Sequence, residues 1–327
     1  MSYEREKQIA IAATRAAAQL CEQVRREIVP EAIEKKDRSP VTIADFGAQA
    51  LICRSLAEAF PGDSVVGEED AAELRQPAMN ARLEQVTHYV QSLVPDATPG
   101  TVTDWIDRGN GKVGQRYWTL DPIDGTKGFL RGDQYAIALA LIEAGDLKVG
   151  VLGCPALAFG SEAPGFLFVA VRGQGATRIS LASGESESIR VARPDAVEEL
   201  RFVESVEASH GDQSQQAAVA KAAGIVQPSL RMDSQAKYGA VASGQASLYL
   251  RLPSPKTPDY RENIWDHAAG ALVVEEAGGR VTDMYGKPLD FFRGTKMMDN
   301  RGIVVSNGAL HETVLAALRA SSESGTK

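Results

Sequence analysis

The chain has 327 residues, enough for two domains, and its 44% hydrophobic and 24% charged residues are the proportions of a soluble globular protein. A formal net charge of −8 argues against binding nucleic acid or an anionic membrane, which need basic surface. It leaves room for an anionic substrate only where bound cations invert the local field.

Cys21, Cys53 and Cys154 stand alone, with no C-x-x-C pair, so neither a disulfide framework nor a zinc site is expected and the compartment reads as reducing and cytoplasmic. No apolar run is long enough to span a membrane, and the N-terminal Met-Ser-Tyr-Glu-Arg-Glu-Lys lacks the features of a signal peptide.

In chain order, Ile9, Ala13, Ala16, Leu20 and Val24 recur at helical spacing and predict an amphipathic helix over 3–28, ended by Pro30. A polar linker, 34–40, leads to Thr42-Ile-Ala-Asp45, a helix start with an acid three residues after a threonine cap. That helix runs to Phe60, buries Ile43, Phe46, Leu51 and Leu56, and stops at Pro61-Gly62. A short strand over 64–67 ends at Glu68-Glu69-Asp70, a helix covers 81–94, and the Pro-, Gly-, Asp- and Thr-containing stretch 94–115 reads as an exposed loop. Next comes a short buried strand that stops at Asp121-Pro122, a tight turn at Asp124-Gly125 and a helix opening at Thr126. Segments 134–143 and 147–151 form a hairpin around Ala144-Gly-Asp146, with further strands over 166–172 and 176–179.

Beyond Pro194 strands (201–206, 229–232, 246–252, 302–305) alternate with helices (213–223, 265–277, 310–319), Gly278-Gly279 stopping the second of these helices. The expectation is an α/β protein with an α+β N-terminal part: a first domain over 1–190, an α/β domain over 191–320, and a polar, disordered tail over 321–327.

Asp121 and Asp124, three residues apart at a strand end, are where a hard cation such as Mg2+ would be held. The Gly125 and Thr126 amides at a helix start suit a phosphate. Alternatively, Asp-Gly is a common solvent turn. Asp45, Glu68, Glu69 and Asp266 can each be explained as helix caps or solvated first-turn acids. Yet each lies where a strand or linker meets a turn or helix start, where α/β proteins gather ligand-binding groups. If they converge, their repulsion demands cations. Asp233-Ser234-Gln-Ala-Lys237 opens another helix, with the Ser234 hydroxyl near unpaired amides and Lys237 one turn on. Arg251, in mid-strand among apolar neighbours, needs an anionic partner. Lys237 could equally be a solvated helix residue, and Arg251 could pair with a structural acid.

Gly67-Glu68-Glu69, Asp121-Pro-Ile-Asp124-Gly-Thr126 and Trp265-Asp266-His-Ala-Ala-Gly…Glu-Ala-Gly-Gly279 resemble, in order, the signature of the lithium-sensitive, magnesium-dependent phosphatases, the superfamily that includes inositol monophosphatase. Asp37-Arg-Ser-Pro-Val-Thr-Ile-Ala-Asp45-Phe-Gly, the extension of the central motif through Gln134-Tyr-Ala, Asp233-Ser-Gln-Ala-Lys237-Tyr and Tyr249-Leu-Arg251-Leu-Pro resemble its bisphosphate nucleotidase branch.

The resemblance covers residues 3–318 and implies a layered αβαβα sandwich. It implies Glu68, Asp121, Asp124 and Asp266 as side-chain metal ligands, the Ile123 carbonyl as a further ligand, and Glu69 acting through water. Asp45 and Thr126 would orient and deprotonate the attacking water. Gly125, Thr126, His210, Ser234, Lys237 and Arg251 would contact substrate. The chain is shortened around Ser209-His210-Gly-Asp relative to the longer loop of related nucleotidases. His88, His210, His267 and His311 are too scattered for a histidine phosphatase.

The implied activity is hydrolysis of the 3'-phosphate of 3'-phosphoadenosine 5'-phosphate, and of its 5'-phosphosulfate relative, by a monomer using two or three Mg2+ ions and inhibited by Li+. The alternatives are an inositol or sugar phosphate phosphatase, or a non-catalytic nucleotide sensor. The latter would not need Asp45 and Thr126.

Overall fold

The computed structural model describes residues 2–27, 33–34, 40–193, 199–207, 212–254 and 256–324. Helix α1 (Glu4–Glu27) turns Ala10, Ala13, Ala17, Leu20 and Val24 inward. A two-stranded ribbon of β1 (Ile33–Glu34) and β2 (Pro40–Val41) leads to α2 (Ile43–Ala59), where the Thr42 hydroxyl accepts from Ala44 N and Asp45 accepts from Thr42 N at 2.8 Å. Strand β3 (Ser64–Gly67) and helix α3 (Asn80–Gln91) follow as expected.

Segment 94–115 is not simply a loop. It contains α4 (Pro99–Asp107), capped by Thr98, with Pro99 in the first turn where a missing N–H costs nothing and with Val102, Thr103 and Ile106 buried. Strand β4 (Arg116–Asp124) does not stop at Asp121-Pro122 either. It continues to Asp124 with a shift of register between Asp121 and Asp124, where Pro122 has no N–H for the ladder.

After α5 (Thr126–Arg131) come the hairpin strands β5 (Ala136–Glu143) and β6 (Asp146–Cys154), then β7 (Phe166–Val171), β8 (Ala176–Ser180) and β9 (Ser186–Ile189). The remainder is β10 (Phe202–Glu204), α6 (Gln213–Ala222), β11 (Leu230–Arg231), α7 (Ala236–Ala242), β12 (Leu248–Arg251), α8 (Ala268–Glu276), β13 (Arg280–Thr282), β14 (Ile303–Ser306) and α9 (His311–Ser324). Strands β1, β2, β9 and β13 were not foreseen. Helix α8 begins at Ala268, so Trp265 and Asp266 sit in the turn before it rather than within the helix. Helix α9 continues to Ser324, past the point at which a disordered tail was expected; 325–327 lie outside the described residues.

Strands β3 to β9 form one seven-stranded sheet in sequence order, parallel only between β3 and β4. The second sheet has the order β11-β10-β12-β14-β13, with β10 parallel to both neighbours. Alternation along the strands divides the apolar residues among three cores. Trp118, Leu120, Ile137, Leu139 and Leu141 face α1 and α2, whereas Tyr117, Ala136, Ala138, Ala140 and Phe168 face α7 and α8. On the second sheet Tyr249, Ile303 and Val305 meet α7 and α8 from the other side, and Leu248, Leu250 and Val304 pack under α6 and α9. The layers are therefore helix, sheet, helix, sheet, helix. The inner faces of β5 and β6 are small: a Cβ on Gly150 would come within 3.0 Å of the Ala269 carbonyl, so α8 lies close against the sheet. Among the described residues no helix is long and apolar enough to cross a membrane.

His311 links the last layer. Its Nε2 lies 2.9 Å from Thr282 Oγ1, which itself donates to Asp283 O, and its Nδ1 lies 2.9 Å from Ser306 Oγ. This arrangement suits a neutral ring, and burial lowers the His311 pKa to about 4. The unfolded chain binds this proton below about pH 6.5 and the folded chain does not, so stability falls as pH drops from 6.5 towards 4. At pH 5 the loss is on the order of 2 kcal/mol. Denaturant titrations at pH 7 and pH 5 are expected to show this drop in the wild type and a smaller one in His311→Asn; equal drops would place the sensitivity elsewhere.

Candidate active site

The parallel pairing of β3 with β4 puts their C-terminal ends side by side. Gly67 is opposite Leu120, and Glu68 N donates to Leu120 O, so Glu68 emerges next to Asp121. The bulge at Pro122 then brings Asp124 to the same opening, while the Ile123 side chain stays buried. Glu68, Asp121, Asp124 and Asp266 line one cavity of about 400 Å3, with Ile123, Gly125, Thr126, Ser234, Lys237 and Arg251 also on its wall. Glu69, the next residue after Glu68, turns away: it is 4% exposed and off that wall. Its backbone is clamped by Gln49 of α2, whose Oε1 accepts from Glu69 N at 3.1 Å and whose Nε2 donates to Glu69 O and to Ile106 O.

Asp45 lies one layer behind the cavity. Its Oδ2 is held by the Thr42 hydroxyl at 2.6 Å, and its Oδ1 faces the Thr126 hydroxyl at 3.4 Å. Thr126 Oγ1 is also 3.2 Å from the Ile123 carbonyl. Asp45 is thus a helix cap and a neighbour of Thr126 at once. His210 lies outside the described residues.

The acids perturb one another. Burial, then the fields of Glu68, Asp124 and Asp266, push the Asp121 carboxyl well above the usual range. Asp121 Oδ1 is buried with no hydrogen-bond partner among the described residues. Asp266 is also raised well above its ordinary value, by burial and by Asp124, Glu262 and Glu68 against the opposing pull of Arg251. An orphaned carboxylate oxygen among three more acids fits an oxygen-coordinated divalent cation.

The opposite wall is basic. Lys237 is 2% exposed, so it is not a solvated helix residue. Its Nζ lies 3.4 Å from Met232 O and 5.2 Å from the Tyr249 ring centre, and burial lowers its pKa to about 8. Arg251 already has an acid partner, with its Nε 2.8 Å from the Glu262 carboxylate, yet it also borders the cavity. Glu262, Asp266 and His267 bring donor atoms within 4.8 Å of one another, but Glu262 is engaged by Arg251 and by His267, so this group is an ion-pair cluster.

The two walls are locked together. Gln235 N donates to Asp124 Oδ2 at 2.5 Å, and Arg131 of α5 pairs with Asp233. Gly125 (φ 85) sits against Ser234 (φ 64), where a Cβ on residue 125 would come within 2.9 Å of the Ser234 Cβ. Gln49, Arg131, Glu262 and the wall residues Tyr260 and Asn263 were missed in the sequence. Only for Gln49 is there a local trace, in Gly67 and Gly109, which leave room for its amide.

A profile of the inositol monophosphatase family matches residues 3–323. A protein of Emericella nidulans named 3'(2'),5'-bisphosphate nucleotidase is 43% identical over 349 residues, covering 98% of this chain and 99% of its own length. One of the same name from Oryza sativa is 42% identical, covering 97% and 94%. Among solved structures, a Thermotoga maritima IMPase superposes with a TM-score of 0.66 at 23% identity over 97% of this chain and 98% of its own. An inositol monophosphatase from Anabaena (Nostoc) gives 0.63 at 20% identity, over 98% and 97%. These structures share the layered αβαβα fold.

Removing one charge from a group of mutually repelling buried acids relieves the folded state. Asp121→Asn is therefore expected to melt no lower than the wild type in the presence of a chelator. It should also lose most of the rise in Tm that Mg2+ gives the wild type. A variant whose Tm climbs with Mg2+ as steeply as the wild type would place the cation away from Asp121.

Proposed function

Because this chain belongs to the inositol monophosphatase family, with curated relatives named bisphosphate nucleotidases, we propose that it is a Mg2+-dependent phosphatase. Its substrate would be 3'-phosphoadenosine 5'-phosphate, hydrolysed at the 3'-phosphate to AMP and phosphate, with the 5'-phosphosulfate relative as a second substrate. The observation that carries this reading is the polarity of one cavity: four carboxylates, one with an orphaned oxygen, face a buried Lys237 and Arg251. Such a cavity suits a molecule with one phosphate to be cut beside cations and a second to be read by fixed positive charge.

Glu68, Asp121, Asp124, Asp266 and the Ile123 carbonyl would hold Mg2+. Bound there, Mg2+ supplies charge neutralisation for the phosphoryl group and a more acidic water. Thr126 Oγ1 accepts a proton from the attacking water and passes its own to Asp45 Oδ1. Thr42 holds the other Asp45 oxygen, so the accepting atom is fixed. The water oxygen bonds to phosphorus and the bond from phosphorus to the ribose O3' breaks; O3' takes a proton from solvent water, and Asp45 returns to solvent the one it accepted. The Gly125 and Thr126 amides cradle the 3'-phosphate, while Ser234, Lys237 and Arg251 bind the 5'-phosphate end. In this reading residues 1–190 supply the cutting side, and residues 191–320 supply Asp266 and the nucleotide pocket. The enzyme acts as a cytoplasmic monomer.

Phosphate release from adenosine 3',5'-bisphosphate, adenosine 5'-phosphate and inositol 1-phosphate, with and without Mg2+, tests the assignment. Rapid release is expected only from the first and only with Mg2+, with inhibition by millimolar Li+. Preference for inositol 1-phosphate would overturn the substrate. Thr126→Ala is expected to lower kcat by roughly 10²–10⁴-fold with a smaller effect on Mg2+ affinity; full rescue by added Mg2+ would contradict the relay. Lys237→Ala should raise KM for the bisphosphate by about tenfold or more while barely affecting a substrate without the 5'-phosphate.

A further inference from the structure

Arg251 reaches the cavity from β12, between Leu250 and Leu252, whose side chains belong to the core on the other face of the sheet. Within that strand the Tyr249 side chain bonds to the guanidinium, but the strand offers it no carboxylate. A chain of buried polar groups does. Arg251 Nε lies 2.8 Å from both oxygens of Glu262, and Glu262 Oε2 lies 3.2 Å from His267 Nε2. His267 Nδ1 in turn lies 2.7 Å from the Tyr238 hydroxyl. Glu262, His267 and Tyr238 are all buried.

An ionised carboxylate can only accept, so His267 Nε2 carries the hydrogen and Nδ1 accepts from Tyr238. One arrangement satisfies every member: Tyr238 donates to His267, His267 to Glu262, and Arg251 to Glu262. The far end is anchored by packing. The Tyr238 ring meets Tyr249 edge-on at 5.4 Å, and it fills the space at Gly270, where a Cβ would come within 2.4 Å of it.

We propose that Glu262, His267 and Tyr238 are positioning residues that aim Arg251 at the second phosphate of the substrate, and so set the preference for a doubly phosphorylated nucleotide. The proposal rests on the reading of Lys237 and Arg251 as the phosphate-recognising wall. Glu262 has a second consequence. Asp266 lies beside the cluster on the acidic side, and it would be the competing partner for the arginine if Glu262 were absent. By tying Nε, Glu262 fixes the guanidinium plane; the Tyr249 and Tyr260 side chains also bond to the guanidinium, and an anion meets the Nη hydrogens that remain, which keeps the positive charge on its own side of the cavity.

Charge and orientation make opposite predictions. If Glu262 acted only through its negative charge, Glu262→Gln would tighten binding of an anion. If it positions Arg251, the same change weakens it. The experiment compares kcat and KM for adenosine 3',5'-bisphosphate and adenosine 3'-phosphate at saturating Mg2+. Glu262→Gln is expected to raise KM for the bisphosphate about tenfold, with kcat changed less than about threefold. The ratio of kcat/KM between the two substrates should fall by a similar factor.

Tyr238→Phe, which removes only the distal hydroxyl, should shift the ratio in the same direction by about two- to threefold, and it carries the test should Glu262→Gln fail to fold. An unchanged or increased ratio in these variants, or equal losses on both substrates, would overturn the proposal. Arg251→Ala is the control for the premise: if it leaves the ratio untouched, the phosphate wall itself is misassigned and the positioning role falls with it.

Discussion

Like charges held together out of water oppose folding, and the rest of this molecule is arranged around that cost. Glu68, Asp121, Asp124 and Asp266 border one cavity, and burial together with the neighbouring acids raises the proton affinity of Asp121 and Asp266. Left to themselves they would separate or neutralise. They stay because the backbone that carries them has little freedom. Glu68 and Asp121 leave adjacent parallel strands, Asp124 follows a bulge, and the peptide of Glu69 is gripped from α2. The free energy that holds this frame comes from the three apolar cores, which contain none of the four carboxylates.

The cationic wall is attached to the acidic one by the turn at Gly125. Asp124 accepts from Gln235, Gly125 packs on Ser234, and α5 is tied to Asp233 through Arg131. Ser234 holds a left-handed backbone without being glycine, a conformation that persists only where its surroundings over-determine it. Acid and base ends of the cavity are thereby kept at a fixed separation across the boundary between the two sheets. On the proposed reading, that separation would let a substrate with two anionic groups be recognised by length as well as by charge.

Much of this could be read from the chain because the informative residues cluster where periodic segments end. Helical spacing marked α1 and α2, and the Thr42–Asp45 and Asp124–Thr126 turns stood out by their caps and glycines. What could not be read was of two kinds. Short elements such as α4, β9 and β13 carry too few apolar positions for a period to show, and their order comes from neighbours distant in sequence. Partner choice was hidden as well. Glu68 and Glu69 are adjacent and identical, yet one faces the cavity and the other is buried behind it. Arg251 announced its need for an anion but not that Glu262 would meet it.

The alanines of β5 and Gly150 of β6 have a consequence out of proportion to their chemistry. Ala136, Ala138 and Ala140 give the seven-stranded sheet a low relief where α7 and α8 rest on it, and Gly150 lets α8 come nearer still. The second sheet, with Arg251, is stacked on the far side of those helices, and Asp266 sits at the start of α8. The thickness of one helical layer therefore works as a gauge block between the two halves of the cavity. A bulkier side chain at any of these positions would act as a shim, moving Asp266 and the bases away from Glu68, Asp121 and Asp124 without changing any residue of the cavity wall. In this chain, the span of the site is written in its smallest residues.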